Sequence, residues 1–307
     1  MPRFSGKSFC LGLLVGAVTA WAGLHQGVRF GNLPASAAKK PAVHLTQPIA
    51  GSASNAIKEF FPQGPLGEEA FWKALRQGGT TRATALREKA SEILASSRPY
   101  SRRRWFAAML EHYQGGDLEA IHEGMMAQEK LGGRFNKEYE QMMERAAEVE
   151  GAVVMEIVRK ENSKEGSPVH EWHARCMADW SASDKAGAVA WWNALPDGNL
   201  RDHLAGSLIE GIATSSPSAA WEAALMFDPV QRANVAPELV KAFARDRGLE
   251  GSVEWMAGLG PEDSGTKSRA LEELADHMHH IDHSRQAELI ERFVSEPWAE
   301  NCPAFRR

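Results

Sequence analysis

The feature that most restricts the fold is an internal repeat. Residues 184–197, DKAGAVAWWNALPD, fall on SPSAAWEAALMFDP 32 residues later and on GLEGSVEWMAGLGP after a further 32. Gly187, Ala219 and Gly251 share a column, as do Ala188, Ala220 and Ser252, and Leu195, Phe227 and Leu259. Trp191 returns as Trp255. A fourth copy, HSRQAELIERFVSEP, follows at a shift of 35 and sets Val294 in the Leu195 column. Each copy ends at or beside a proline: Pro196, Pro229, Pro261 and Pro297.

The segment ahead of each copy keeps the same period. Trp172, Cys176 and Trp180 stand at i, i+4 and i+8, which is one face of a helix. The same columns hold Leu204, Leu208 and Ile212, then Ala236, Val240 and Ala244, then Leu271, Ala275 and His279. The unit is therefore two antiparallel helices, the second starting near Asp184, Ser216 or Gly248 and stopping where proline cannot continue it. Ser216 followed by Pro217 reads as an N-cap and first helical residue. The small residues in the Gly187 and Ala188 columns would let the paired helices approach closely. Upstream, RRRWFAAMLEHYQGGDLEAIHEGMMAQEK and NKEYEQMMERAAEVEGAVVMEIVRK continue the pattern, with Gly151 and Ala152 in the small columns at a shift of 36. EEAFWKALRQ and ATALREKASEILAS supply an earlier pair. The expected fold is all-α, an α-solenoid of roughly six to seven antiparallel helix pairs over residues 68–297, because no unit of 32–36 residues can bury its apolar faces alone.

A unit of this length, with two helices, small residues at their crossing and a terminal proline, resembles the tetratricopeptide-type repeat family. No unit carries that family's Trp-x-x-Leu-Gly-x-x-Tyr first helix, and Pro237 falls inside or at the start of a helix, so the resemblance is to a divergent member. Members are chiefly protein or peptide binders, and the resemblance implies that role here.

The first residues read differently. Arg3 and Lys7 precede FCLGLLVGAVTAWAGL, residues 9–24, which holds no charge, and Ala20, Trp21 and Ala22 form the small-x-small pattern of a cleavage site. Residues 1–22 are read as a signal peptide, with an uncleaved anchor over about 9–25 as the alternative. The chain is then exported, periplasmic or extracellular, or held in the membrane by that segment alone. Residues 23–67, rich in Ala, Pro, Ser and Gly, read as a flexible tether, and residues 298–307 as a C-terminal tail. Thirty-five basic against 40 acidic residues, with no basic run beyond Arg102, Arg103 and Arg104, leave no footprint for nucleic acid. Once residues 1–22 are gone only Cys176 and Cys302 remain, so the domain does not rest on a disulfide framework. A free Cys302 would be open to pairing with another chain.

Two histidine clusters invite chemistry. In DHMHHIDH, His277, His279, His280 and His283 are candidates for a borderline metal. The repeat places His279 in a core column and His283 at the cap of the next helix, so a turn is expected between them and no metal is assigned. In HEWHARC, His170, His173 and Cys176 miss the zincin spacing by one residue, and Cys176 falls in the core column of Leu208 and Val240. No catalytic residue and no cofactor is assigned. Trp191 and Trp192 could be a binding platform, but their columns are apolar throughout, which favours packing. Asn193, Leu225 and Ala257 occupy a variable column and are taken as groove-facing. The expected function is an exported, non-catalytic helical-repeat scaffold that binds a protein or peptide. The alternatives are an (α/α)-type polysaccharide hydrolase or lyase and a structural spacer in an envelope complex.

Overall fold

The computed structural model describes residues 68–163, 167–281 and 283–306; the expected signal segment and tether lie outside the described residues. Every long element among them is a helix. The first two helix pairs of the sequence are α1 (Glu68–Gln77) with α2 (Gly79–Leu94), which pack together, and α3 (Pro99–Leu110) with α4 (Leu118–Glu129), which each pack on α2 rather than mainly on one another. One long helix, α5 (Asn136–Glu161), makes the third pair by breaking at Glu150, where φ is −137° and ψ is 48°. Next come α6 (Glu171–Ser183) with α7 (Lys185–Asn193), and α8 (Asn199–Ala213) with α9 (Pro217–Ala224). A short helix, α10 (Pro229–Asn234), leads into α11 (Ala236–Ala257), which breaks at Gly248, φ 75°, and so supplies both members of its pair. Gly248 holds a backbone region that other residues enter only at a cost. The last pair is α12 (Ser264–Ile281) with α13 (His283–Phe293), followed by two 3-10 turns, Pro297–Asn301 and Pro303–Arg306. No helix among the described residues is long and apolar enough to cross a membrane.

The caps sit where the sequence puts them. Asp184 accepts from the Gly187 N–H at 3.0 Å, and Ser216 from the Ala219 N–H at 3.1 Å with Pro217 at the first helical turn. Pro237 lies in the first turn of α11, where it removes no helical hydrogen bond. The short helix α10 was not expected; it forms because Asp228 accepts from both the Val230 and Gln231 N–H groups.

Helices pack on near neighbours in chain order: α2 on α4, α5 on α6, α6 on α8, α8 and α12 on α11. The repeat columns account for this. Of the twelve residues in the first-helix columns, all but Ala244 and His279 are buried. His279 is exposed, against expectation, because α12 is followed by α13 and 3-10 turns rather than by another first helix. Val294 is also a correction: it is exposed, and Phe293 takes the buried place. Leu289 and Phe293, four residues apart, face inward together, which turns Val294 about 100° away. Glycines set the closest helix contacts. A methyl at Gly151 would enter the Trp180 ring, and one at Gly211 would meet the Ala178 carbonyl.

Polar bonds one unit apart cross-link the stack. Arg82 makes a two-pronged bond to Asp117, Nε at 2.8 Å and Nη2 at 2.5 Å, with both side chains buried. Arg102 bonds Glu138 at 2.8 Å, Ser91 accepts from Gln128 at 2.8 Å, and Arg175 binds Glu140 at 3.3 Å as well as Glu144. The separations of these pairs, 35, 36, 37, 35 and 31 residues, restate the repeat in three dimensions.

On this face Asp179 is crowded: burial first, then Glu148, Glu144 and Glu210, push its carboxyl up to about 7 against the opposing pull of Arg175. From its ordinary 3.8 to about 7 the folded chain holds a proton that the unfolded chain lacks, so this group's contribution falls as pH rises and its penalty is complete above 7. Asp179→Asn is therefore expected to melt higher than the natural chain above pH 7, with the gap closing below pH 4. Equal melting differences at both ends would refute the assignment.

Candidate functional site

The three variable-column residues are all exposed, and one of them reaches the next unit. Asn193, at the end of α7, approaches the Met226 sulfur with its Nδ2 at 3.8 Å; Leu225 and Met226 close α9 and are each 47% exposed. Phe227, between Met226 and the α10 cap, turns inward onto Trp192 at 4.5 Å, which leaves its two predecessors facing out. Val230, in the first turn of α10, is 70% exposed. Ala257 is exposed at the end of α11.

Beyond this apolar edge lies a cleft of about 470 Å³ lined by Asp202, His203, Asp228, Val230, Gln231 and Asn234 among others. Asp202 accepts from the Gln231 Nε2 at 2.6 Å, tying α8 to α10. Asp228 is occupied by the two N–H groups of its own cap. Neither carboxylate has a cationic partner among the described residues. Nearby cations are committed elsewhere: Arg201 to Asp197 at 2.9 Å and over the Trp192 ring at 4.3 Å, and Arg232 to Asp263 at 3.3 Å.

The chain matches no family model, no curated protein and no solved structure.

The other sequence candidates do not assemble. Trp192 is fully buried and donates its Nε1–H to the Arg201 carbonyl at 3.0 Å, while Trp191 is half-buried with its ring 6.1 Å from that of Trp180. Both pack. His277 and His279 are exposed, and the His279 ring meets Gln286 at 3.2 Å. The side chains of His280 and His283 lie outside the described residues, as does the residue at which a turn was expected between His279 and His283. Among the described residues no three His, Cys, Asp or Glu side chains are grouped to hold a metal.

In HEWHARC, His170 is exposed and His173 is buried, its Nδ1 accepting from the His170 N–H at 3.2 Å, so the pair closes the start of α6. The other nitrogen of His173 stands 3.6 Å from Glu161, which also receives the Tyr139 hydroxyl at 3.3 Å. Burial first pushes the Cys176 thiol up, and the nearby carboxylates Asp179 and Glu144 add to it, leaving an unreactive thiol. Cys302 is likewise buried, its sulfur donating to the Ser268 carbonyl at 3.3 Å, so the expected availability for pairing with another chain is not met. A second cleft, about 550 Å³, opens beside Trp72, Arg76 and His112. Its central charge, Arg82, is spent on Asp117 and on the Leu75 and His112 carbonyls. Burial, and then Arg82, lower the His112 imidazole's proton affinity.

Proposed function

We propose that this chain is a non-catalytic helical-repeat scaffold of tetratricopeptide-like, α-solenoid type that binds a protein or peptide. It would act outside the cytoplasm, exported or anchored through residues 9–25. The observation that carries the reading is the exposed apolar edge of Leu225, Met226 and Val230 beside an open cleft on packed helices. Adjacent exposed apolar side chains rimmed by polar groups mark interaction surfaces more often than chance exposure. Packing between near neighbours also favours an open stack, which leaves a continuous face for a ligand, over a closed double ring.

A photo-crosslinking residue at 225 tests this in intact cells. A discrete adduct is expected that disappears when Val230→Asp is added, whereas the same probe at Tyr100, exposed on α3, should give none. Absence of an adduct at 225, or one indifferent to Val230→Asp, would overturn the reading.

A further inference from the structure

The candidate surface combines two chemistries in adjacent turns, and this inference rests on the binding role proposed above. Leu225, Met226 and Val230 offer apolar contact, while the cleft they border holds Asp202 and Asp228 and has no Lys or Arg in its lining. Asp197 and Glu222, the acids on the neighbouring segments, are exposed but paired, Asp197 with Arg201 at 2.9 Å and Glu222 with Lys185 at 4.0 Å. The cations within reach of these acids are few: Arg201 is stacked on Trp192, and Lys185 stands 4.0 Å from Glu222. An anionic ligand, or the headgroups of an anionic bilayer, would meet the two carboxylates in a cleft whose lining offers no Lys or Arg to bind it.

We infer that the edge and cleft take a peptide segment in which an apolar side chain is followed or preceded by Lys or Arg. The apolar group lies on Leu225, Met226 and Val230, and the cation enters the cleft between Asp202 and Asp228. The arrangement suits recognition because each part rejects a different wrong ligand: the carboxylates refuse acidic segments, and the apolar edge gives nothing to a purely hydrophilic one. The carboxylates are also held in place before binding. Asp202 is fixed by Gln231, and Asp228 by the backbone of α10, so little side-chain freedom is lost when a cation arrives.

Fluorescence anisotropy with the full chain and short labelled peptides of Leu with Lys, and of Leu with Glu, tests the pairing. The Leu/Lys peptide is expected to bind and the Leu/Glu peptide not, with affinity falling as salt rises. Asp202→Asn together with Asp228→Asn keeps the Gln231 bond and the helix cap, since Asn caps as well as Asp, while removing both charges. That double variant should weaken the Leu/Lys peptide by about tenfold and flatten its salt dependence, as loss of close opposite charges does. Val230→Asp should abolish apolar docking while leaving the helical circular dichroism unchanged. Equal binding of the Leu/Lys and Leu/Glu peptides, or an unaffected double variant, overturns the charge assignment. If the adduct at 225 still depends on Val230 in that case, the binding role survives without it. Binding to phosphatidylglycerol vesicles in place of the Leu/Lys peptide would overturn the choice of a peptide.

Discussion

Trp192→Ala lowers the folding stability by about 3–5 kcal/mol, as expected for removing a large aromatic from a core that cannot collapse around the gap. Three contacts lose their partner together: the Phe227 ring at 4.5 Å, the Arg201 guanidinium at 4.3 Å and the Arg201 carbonyl, bonded at 3.0 Å. Phe227 belongs to the next unit, so the damage crosses a unit boundary. Urea unfolding followed by circular dichroism measures it. Trp191→Ala, at a half-buried position against Trp180, should cost clearly less. If the two substitutions were equal, or Trp191 were the worse, the packing assignment of the pair would be wrong.

A comparable loss is expected from Asp117→Ala. It would leave the Arg82 guanidinium buried and unmatched, and breaking one side of a buried ion pair costs about 3–5 kcal/mol. The Gln114 N–H, which Asp117 also accepts at 2.7 Å, is orphaned at the same time. At roughly 2–4 °C per kcal/mol for a domain of this size, the melting temperature should fall by about 6–20 °C. In a stack held by neighbours the loss is local, so hydrogen exchange should rise first in α2 and α4. The double variant Arg82→Met with Asp117→Leu should recover much of it, because an apolar pair of similar volume leaves no buried charge. Failure of the double variant to recover would mean that the Leu75 and His112 carbonyls bonded by Arg82, rather than the charge, hold the N-terminal pairs together.

The tryptophan pair shows how far the repeat could be read. Placing Trp192 in one column with Ala224 and Met256 predicted burial, and all three are fully buried. The same logic misplaced His279 and Val294, because it assumed that the last unit is covered as the others are. The site was half legible. Exposure of Asn193, Leu225 and Ala257 followed from their variable column, whereas the approach of Asn193 to Met226 in the following unit did not. Met226 and Val230 were missed. An apolar residue beside core residues carries no mark of its own, and only the inward turn of Phe227 and the unexpected helix α10 make both face out.

Periodicity determined the all-α class, the pairing of helices, their starts at Asp184, Ser216 and Gly248 and the burial of the shared columns. These are local properties, set by helical phase, capping side chains and glycine, and they need no knowledge of distant contacts. Tertiary structure alone decided the rest: which arginine reaches which acid one unit away, that Cys302 is shielded, and that a pair of carboxylates without cations lies beside an apolar edge. Each depends on how units stack, and a charged residue's partner is chosen by geometry across that interface, on which a single unit's sequence carries no period to read.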